Sequence, residues 1–346
     1  MRKEPKMQSS TEPKESRSFS AFASASLLIT SAILALFSPI IRPPVVSAQT
    51  PPMVVYRFPV DNSVGEIYRI TIEEKPQYQN LGQKLFCRAM GNVGLRKDWT
   101  INLRYNPTIV KYPDSINKIP TEQVIAMGFD YAGIGDSFVD SIARFKNIYE
   151  LDISNSEVSD KGLEKLLTLS KLRKLDAGHA AISGSGIKAL AKLPHLKEIS
   201  FRFNDLQVEN LKDLKNLPSL THLDLMKCHL RDQDIAALAG CKKLEYLNLQ
   251  ENHLLSDKCI PHLLKLKGLK GLDLRITALT YNGLKQLKVM KLQSLAIDRR
   301  SVSEEEEKLL KAALAPTKII IKNKMKNKLR IFEDVTGEKF TLPIGK

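Results

Sequence analysis

Apolar residues between Val124 and Val302 return in four columns with a period of about 24 residues. The first column is Val124, Ile148, Leu172, Leu196, Leu220, Leu244, Leu269 and Leu292, and its last two steps are 25 and 23 residues. Three places after each start come Met127, Leu151, Leu175, Ile199, Leu223, Leu247, Leu272 and Leu295. Two further on come Phe129, Ile153, Ala177, Phe201, Leu225, Leu249, Leu274 and Ile297. Ten after each start stand Ile134, Val158, Ile182, Leu206, Leu230, Leu254, Leu279 and Val302. The first half of each unit alternates sides with period two, which predicts a short strand. The second half changes to a longer spacing, as in Leu163, Leu166, Leu169 and in Leu211, Leu214, Leu217, which predicts a helix. Ser159-Asp160 and Ser256-Asp257 stand where N-caps belong. One strand and one helix cannot bury an apolar face alone, so the eight units are expected to stack around one core.

A further column, eight after each start, reads Ala132, Ser156, Ala180, Asn204, Cys228, Asn252, Thr277 and Arg300. The pattern resembles the leucine-rich repeat, in which this slot carries a side chain that bonds the backbone of the turning loop. Its mixture of Asn, Cys, Thr and Ser on this period resembles the cysteine-containing, ribonuclease-inhibitor-like subtype. The run VSDKGLEKLLTL (Val158–Leu169) is similar to repeats of exported bacterial leucine-rich repeat proteins. The resemblance covers roughly half of the chain. It implies an α/β solenoid, a horseshoe with a parallel sheet on its concave face and helices on its convex face. It implies no particular ligand.

The flanks do not repeat. In residues 49–123, strand-like runs at Met53–Phe58, Glu66–Ile72, Gln83–Met90 and Trp99–Tyr105 predict a small β module, with a turn signal at Asp61–Gly65. It would shield the first rung of a solenoid running over residues 124–303. Residues 304–346 read as a cap: a helix from Glu304 to Ala315 stopped by Pro316, a lysine-rich strip from Lys318 to Arg330, and a hairpin around Thr336-Gly337. Such a strip either binds anions or keeps an edge strand from pairing with other chains. Residues 1–48 carry a basic start, an uncharged stretch between Arg17 and Arg42, and the small-x-small site Val46-Ser47-Ala48. That is the pattern of a signal peptide or, if uncleaved, of an N-terminal membrane anchor. Either places the rest outside the cytoplasm.

The net charge is +15, and loss of residues 1–48 would leave about +12. Lys161, Lys165, Lys188, Lys192, Lys212, Lys215, Lys285 and Lys288 fall on the helical halves, where a solvated face is the ordinary reading. No aromatics interleave with them, so nucleic acid is not an expected partner. Cys228 and Cys241 sit in repeat columns and read as small buried residues; neither disulfides nor zinc follow from the spacing of the four cysteines. No nucleophile, zinc-protease or phosphate-loop motif is present. His229 and His253 occupy equivalent loop positions but lack a third ligand. No catalytic residue, cofactor or metal is expected.

Register alone lists the side chains of the open sheet face, at two, four and six places after each start. Eight of these 24 positions are acidic and three are basic, so the face is negative within a positive chain. Aspartate in such strands is tolerated structurally, and that reading stands beside a functional one. The candidate partner-binding residues are Glu150, Asp152, Lys174, Asp176, Glu198, Arg202, His222, Asp224, Met226, Tyr246, Asn248, Gln250, Asp273 and Arg275. The expected function is non-enzymatic, extracytoplasmic recognition of a protein or peptide, a basic one included, by a monomer. The alternatives are binding of an anionic envelope polymer along the lysine face, an F-box-like adaptor role in ubiquitin ligation, and docking for a catalytic unit in residues 49–123. That last segment contains no histidine.

Overall fold

The computed structural model describes residues 51–72, 81–322, 331–333 and 339–341. The expected signal or anchor segment, most of the lysine strip and the Thr336-Gly337 turn lie outside them. Fourteen strands build the main part: β1 (Met53–Arg57), β2 (Gly65–Ile72), β3 (Leu81–Arg88), β4 (Asn92–Arg96), β5 (Thr100–Tyr105), β6 (Val124–Gly128), β7 (Glu150–Asp152), β8 (Lys174–Asp176), β9 (Glu198–Ser200), β10 (His222–Asp224), β11 (Tyr246–Asn248), β12 (Gly271–Asp273), β13 (Ser294–Asp298) and β14 (Lys318–Lys322). From β5 to β14 each strand pairs in parallel with the next, and β2 and β3 continue the same sheet antiparallel beyond β5. Leu223 stands opposite Ile199 and Leu247, so the register repeats the sequence columns residue for residue. The fold is a leucine-rich repeat solenoid.

All residues of the first three apolar columns are buried. In the fourth column Leu254 is the exception, 56% exposed, while Leu255 is fully buried. The reason is the 25-residue rung: its extra residue falls in this loop and pushes the inward position one place along the chain. The convex half is built from short pieces. Helix Asp160–Lys165 runs into a 3₁₀ turn Leu166–Thr168, helix Val208–Leu211 into Lys212–Asn216, and Asp232–Gly240 is 3₁₀ throughout. A spacing of three residues between leucines is the 3₁₀ period, in which i and i+3 eclipse. The N-cap serines do cap, Ser159 Oγ accepting from Lys161 N at 3.2 Å and Ser256 Oγ from Lys258 N at 3.3 Å.

Two polar ladders tie rung to rung. Asn252 Nδ2 donates to Leu225 O and Leu249 O, both at 2.9 Å, and its Oδ1 accepts from Cys228 N and Leu230 N at 3.0 Å. Asn204 repeats this with Ala177 O, Phe201 O and Ala180 N. Ser156, Cys228 and Thr277 each donate to a carbonyl in the same slot. The second ladder joins an aspartate at a helix start to the hydroxyl residue one rung on: Asp136 to Ser159, Asp160 to Ser183, Asp232 to Ser256, Asp257 to Thr280.

Elements outside the repeats flank them at both ends of the sheet. β1 does not pair with β2 across Asp61–Gly65; it pairs with β4, while β2 joins β3 and β5. Tyr56, Ile67, Leu95, Ile109 and Ile116 are fully buried here, and Tyr105 stacks on Phe129 of the first rung at 4.9 Å. The N-terminal strands and the rungs therefore share one core. At the other end, helix Glu304–Ala313 opens with a capping box between Ser303 and Glu306. β14 then adds a ninth strand to the rungs, with Ile319 opposite Leu295 and Ile321 opposite Ile297. Residues 331–333 and 339–341 pair antiparallel about the expected turn.

Candidate functional site

In every three-residue strand the middle side chain is buried and its two neighbours are open or half-buried, apart from Gly271 of β12, so the first two open columns lie where register puts them. The aspartates of the second column have structural work. One oxygen of Asp152, Asp176, Asp224 and Asp273 accepts the backbone N–H two residues on, at 2.9–3.0 Å, and Asn248 does the same for Gln250 N. These side chains close the strand end as an Asx turn does. The charge is a separate matter, because Asn248 performs the task without one.

Most of those charges are answered within the chain. Arg104 Nη1 reaches Asp152 at 2.9 Å, Arg202 pairs with Asp176, Arg275 Nη2 with Asp273 at 2.5 Å, and Arg300 Nε with Asp298 at 3.2 Å. Lys174 stands 3.8 Å from Glu198. Arg104 was outside the register-based face, since β5 carries no repeat signature; its arrival makes the face less negative than the repeat columns alone suggest. Asp224 is in no ion pair among the described residues. Burial pushes its carboxyl up to about 6. Burial also raises Glu150 and Asp130, and raises Asp176, with the Asp152 charge adding to it, in spite of Arg202.

Around Asp224 the face changes character. In the first column His222 and Tyr246 stack, with centroids 4.4 Å apart and planes 19° apart. Tyr246 leans over Gly271, where a Cβ would stand 2.6 Å from its Cδ1. Asn248 lies beside Asp224 in register, and its Nδ2 is shut from solvent without a hydrogen-bond partner.

The third column corrects the register-based list. Met226 and Gln250 are 0% and 4% exposed and present no open surface, and Ser154 is buried too. The backbone ladder continues one residue past each strand, as in Phe203 N to Met226 O and Lys227 N to Gln250 O, so neighbouring rungs close over this position. The next position adopts a left-handed backbone in seven rungs, at Tyr131, Asn155, His179, Phe203, Lys227, Glu251 and Ile276, with φ between 51° and 62°. None is glycine, and for β-branched Ile276 that conformation is strained. These residues make a rim: Asn155 Nδ2 donates to Asp130 at 2.6 Å, His179 Nδ1 meets Asn155 Oδ1 at 2.9 Å, and Phe203 lies between His179 and Lys227 Nζ. No sequence signal marks the rim, because its residue types vary.

A family model described as Leucine Rich repeat matches residues 146–167 and 216–239. The repeats are leucine-rich repeats. Comparison with curated proteins returns no match. Among solved structures, an internalin C2 of Listeria monocytogenes is similar at 17% identity over 61% of this chain and 84% of the other, with a TM-score of 0.42. An internalin, inlF, of the same organism is similar at 14% identity over 59% and 74%, with a TM-score of 0.34.

All four cysteines are free; Cys228, Cys241 and Cys259 are buried, and burial pushes the Cys228 thiol up to about 12. Among the described residues no three His, Cys, Asp or Glu side chains gather as metal ligands, and no helix is long and apolar enough to cross a membrane. His229 and His253 are both exposed.

Proposed function

We propose that the protein is an extracytoplasmic, non-enzymatic recognition module that binds a protein or peptide on the open sheet face, centred on rungs four to seven. A leucine-rich repeat fold supports a protein–protein interaction role, and one observation carries the choice of face. Asp224 is a carboxylate held partly buried, without an ion pair, beside a stacked ring pair and an unanswered amide donor. A charge in that setting costs folding stability, and the neighbouring Asn248 shows that the strand end does not need it. Export is supported by the uncharged segment and cleavage site before Gln49. The cap roles of residues 49–123 and 304–346, and a monomeric state, belong to the same proposal.

Capture of partners from the protein's own envelope fraction tests it. Asp224→Asn combined with Tyr246→Ala is expected to abolish capture while the variant keeps a cooperative melt. Asp176 does not belong in that variant, because its removal would strand Arg202. A second reading, an anionic polymer on the lysine face, draws support from a hollow of about 420 Å³ lined by Lys212, Lys215 and Gln233. Reversing Lys161, Lys188, Lys212 and Lys285 to glutamate is expected to leave capture intact. Loss of capture in the lysine variant alone would establish the polymer reading instead.

A further inference from the structure

The second open column contains four aspartates, and three of them already hold an arginine of the chain: Asp152 holds Arg104, Asp176 holds Arg202, and Asp273 holds Arg275. The sheet makes room for two of these. A Cβ at Gly128 would stand 2.3 Å from Arg104 Nη1, and one at Gly178 would stand 2.6 Å from Arg202 Cγ, so the arginines lie across positions that have no side chain. Asp273 takes its guanidinium through Nε at 2.9 Å to each oxygen and Nη2 at 2.5 Å. The fourth aspartate, Asp224, accepts the backbone N–H of Met226 at 2.9 Å and holds no arginine among the described residues. Arg202 bonds Asp176 and Ser200 Oγ, the latter at 3.2 Å; its charge also acts on Asp224, but the two form no ion pair among the described residues.

We propose that the binding partner supplies the missing guanidinium: an arginine side chain seated on Asp224 against the His222–Tyr246 stack. This rests on the open sheet being the binding face and names what that face reads. Arginine fits better than lysine for two reasons. Its planar fork offers parallel N–H donors to a carboxylate, and its flat face packs on aromatic rings. The chain's own usage agrees, since the second-column aspartates pair with arginines and the lysine on this face, Lys174, pairs with a glutamate.

The test uses the full chain and three capped pentapeptides, Gly-Gly-Xaa-Gly-Gly with Xaa arginine, lysine or citrulline, in calorimetric titration with the Asn248 side-chain amide followed by NMR. Citrulline keeps the shape of arginine and removes its charge. The arginine peptide is expected to bind about tenfold more tightly than the citrulline peptide and to shift the Asn248 amide resonance. Asp224→Asn should remove that preference; it retains the acceptor for Met226 N, as Asn248 does for Gln250 N, and a melt checks its fold. No arginine binding at millimolar peptide, equal binding of arginine and citrulline, or a preference that survives Asp224→Asn would overturn the inference. A partner captured through this face whose arginines are all dispensable would overturn the arginine assignment and leave the face standing. Capture that depends only on the lysine face would overturn the reading beneath it.

Discussion

Asp224 shows how one residue separates folding from function. Its carboxyl titrates near 6, above the usual carboxylate range, so the folded state holds its proton more firmly than the unfolded state. Stability from this group is therefore full below about pH 4 and falls as pH rises through about 6. Asp224→Asn should raise stability at neutral pH by about 1–3 kcal/mol and flatten the pH dependence between about 4 and 6, as read by denaturant melts at several pH values. A melt that loses stability at pH 7 would mean the charge serves the fold. In the core the expectation runs the other way. Leu223, 2% exposed, should cost about 2–5 kcal/mol as alanine, whereas exposed Lys215→Ala should stay within about 0.5 kcal/mol. Such core positions were legible because burial follows register. Leu254 was misplaced because a single inserted residue shifts the inward position, and spacing alone does not say where in a loop the insertion falls. Met226 and Gln250 were misplaced because exposure at a strand end depends on how closely the next rung closes over it.

Elements are joined here by polar ladders as much as by leucine contacts. Asp160 accepts from Ser183 N, Ser183 Oγ, Gly184 N and Gly186 N at 2.7–3.1 Å. Although burial opposes it, those bonds hold its carboxyl below its ordinary range. Asp160→Ala should cost about 2–4 kcal/mol, against little for Asp140→Ala, whose partner Lys165 is near solvent. Equal midpoints for the two variants would remove the ladder from the account. The Ser-Asp pairs were readable as caps, and they are caps; the reach of the aspartate into the next rung was not readable, because it links residues 23–26 apart. The leucine spacing of three carried the 3₁₀ geometry in plain sight. The ninth strand escaped because Pro316 falls where a first-column leucine would stand and lysines flank its isoleucines. The pairing of β1 with β4 escaped because a turn signal between two strands does not fix their partners.

Across the described residues, the helical halves carry many lysines together with the ladder aspartates, while the open sheet columns hold more acids than bases. Three of the four second-column aspartates are neutralised by arginines, one of them from β5, which leaves Asp224 as the fourth. The export reading is checked by mass spectrometry of the native protein, which should find a chain beginning at Gln49 or a full-length chain in the membrane fraction; a full-length chain in the soluble cytoplasm would contradict it. The central claim is that a partner docks on the open sheet face, and a photo-crosslinking residue placed at Tyr246 or at Lys212 tests it most directly. Irradiated in the native envelope, the Tyr246 position should yield a discrete adduct and the Lys212 position none. Adducts at Lys212 with nothing at Tyr246 would contradict the account.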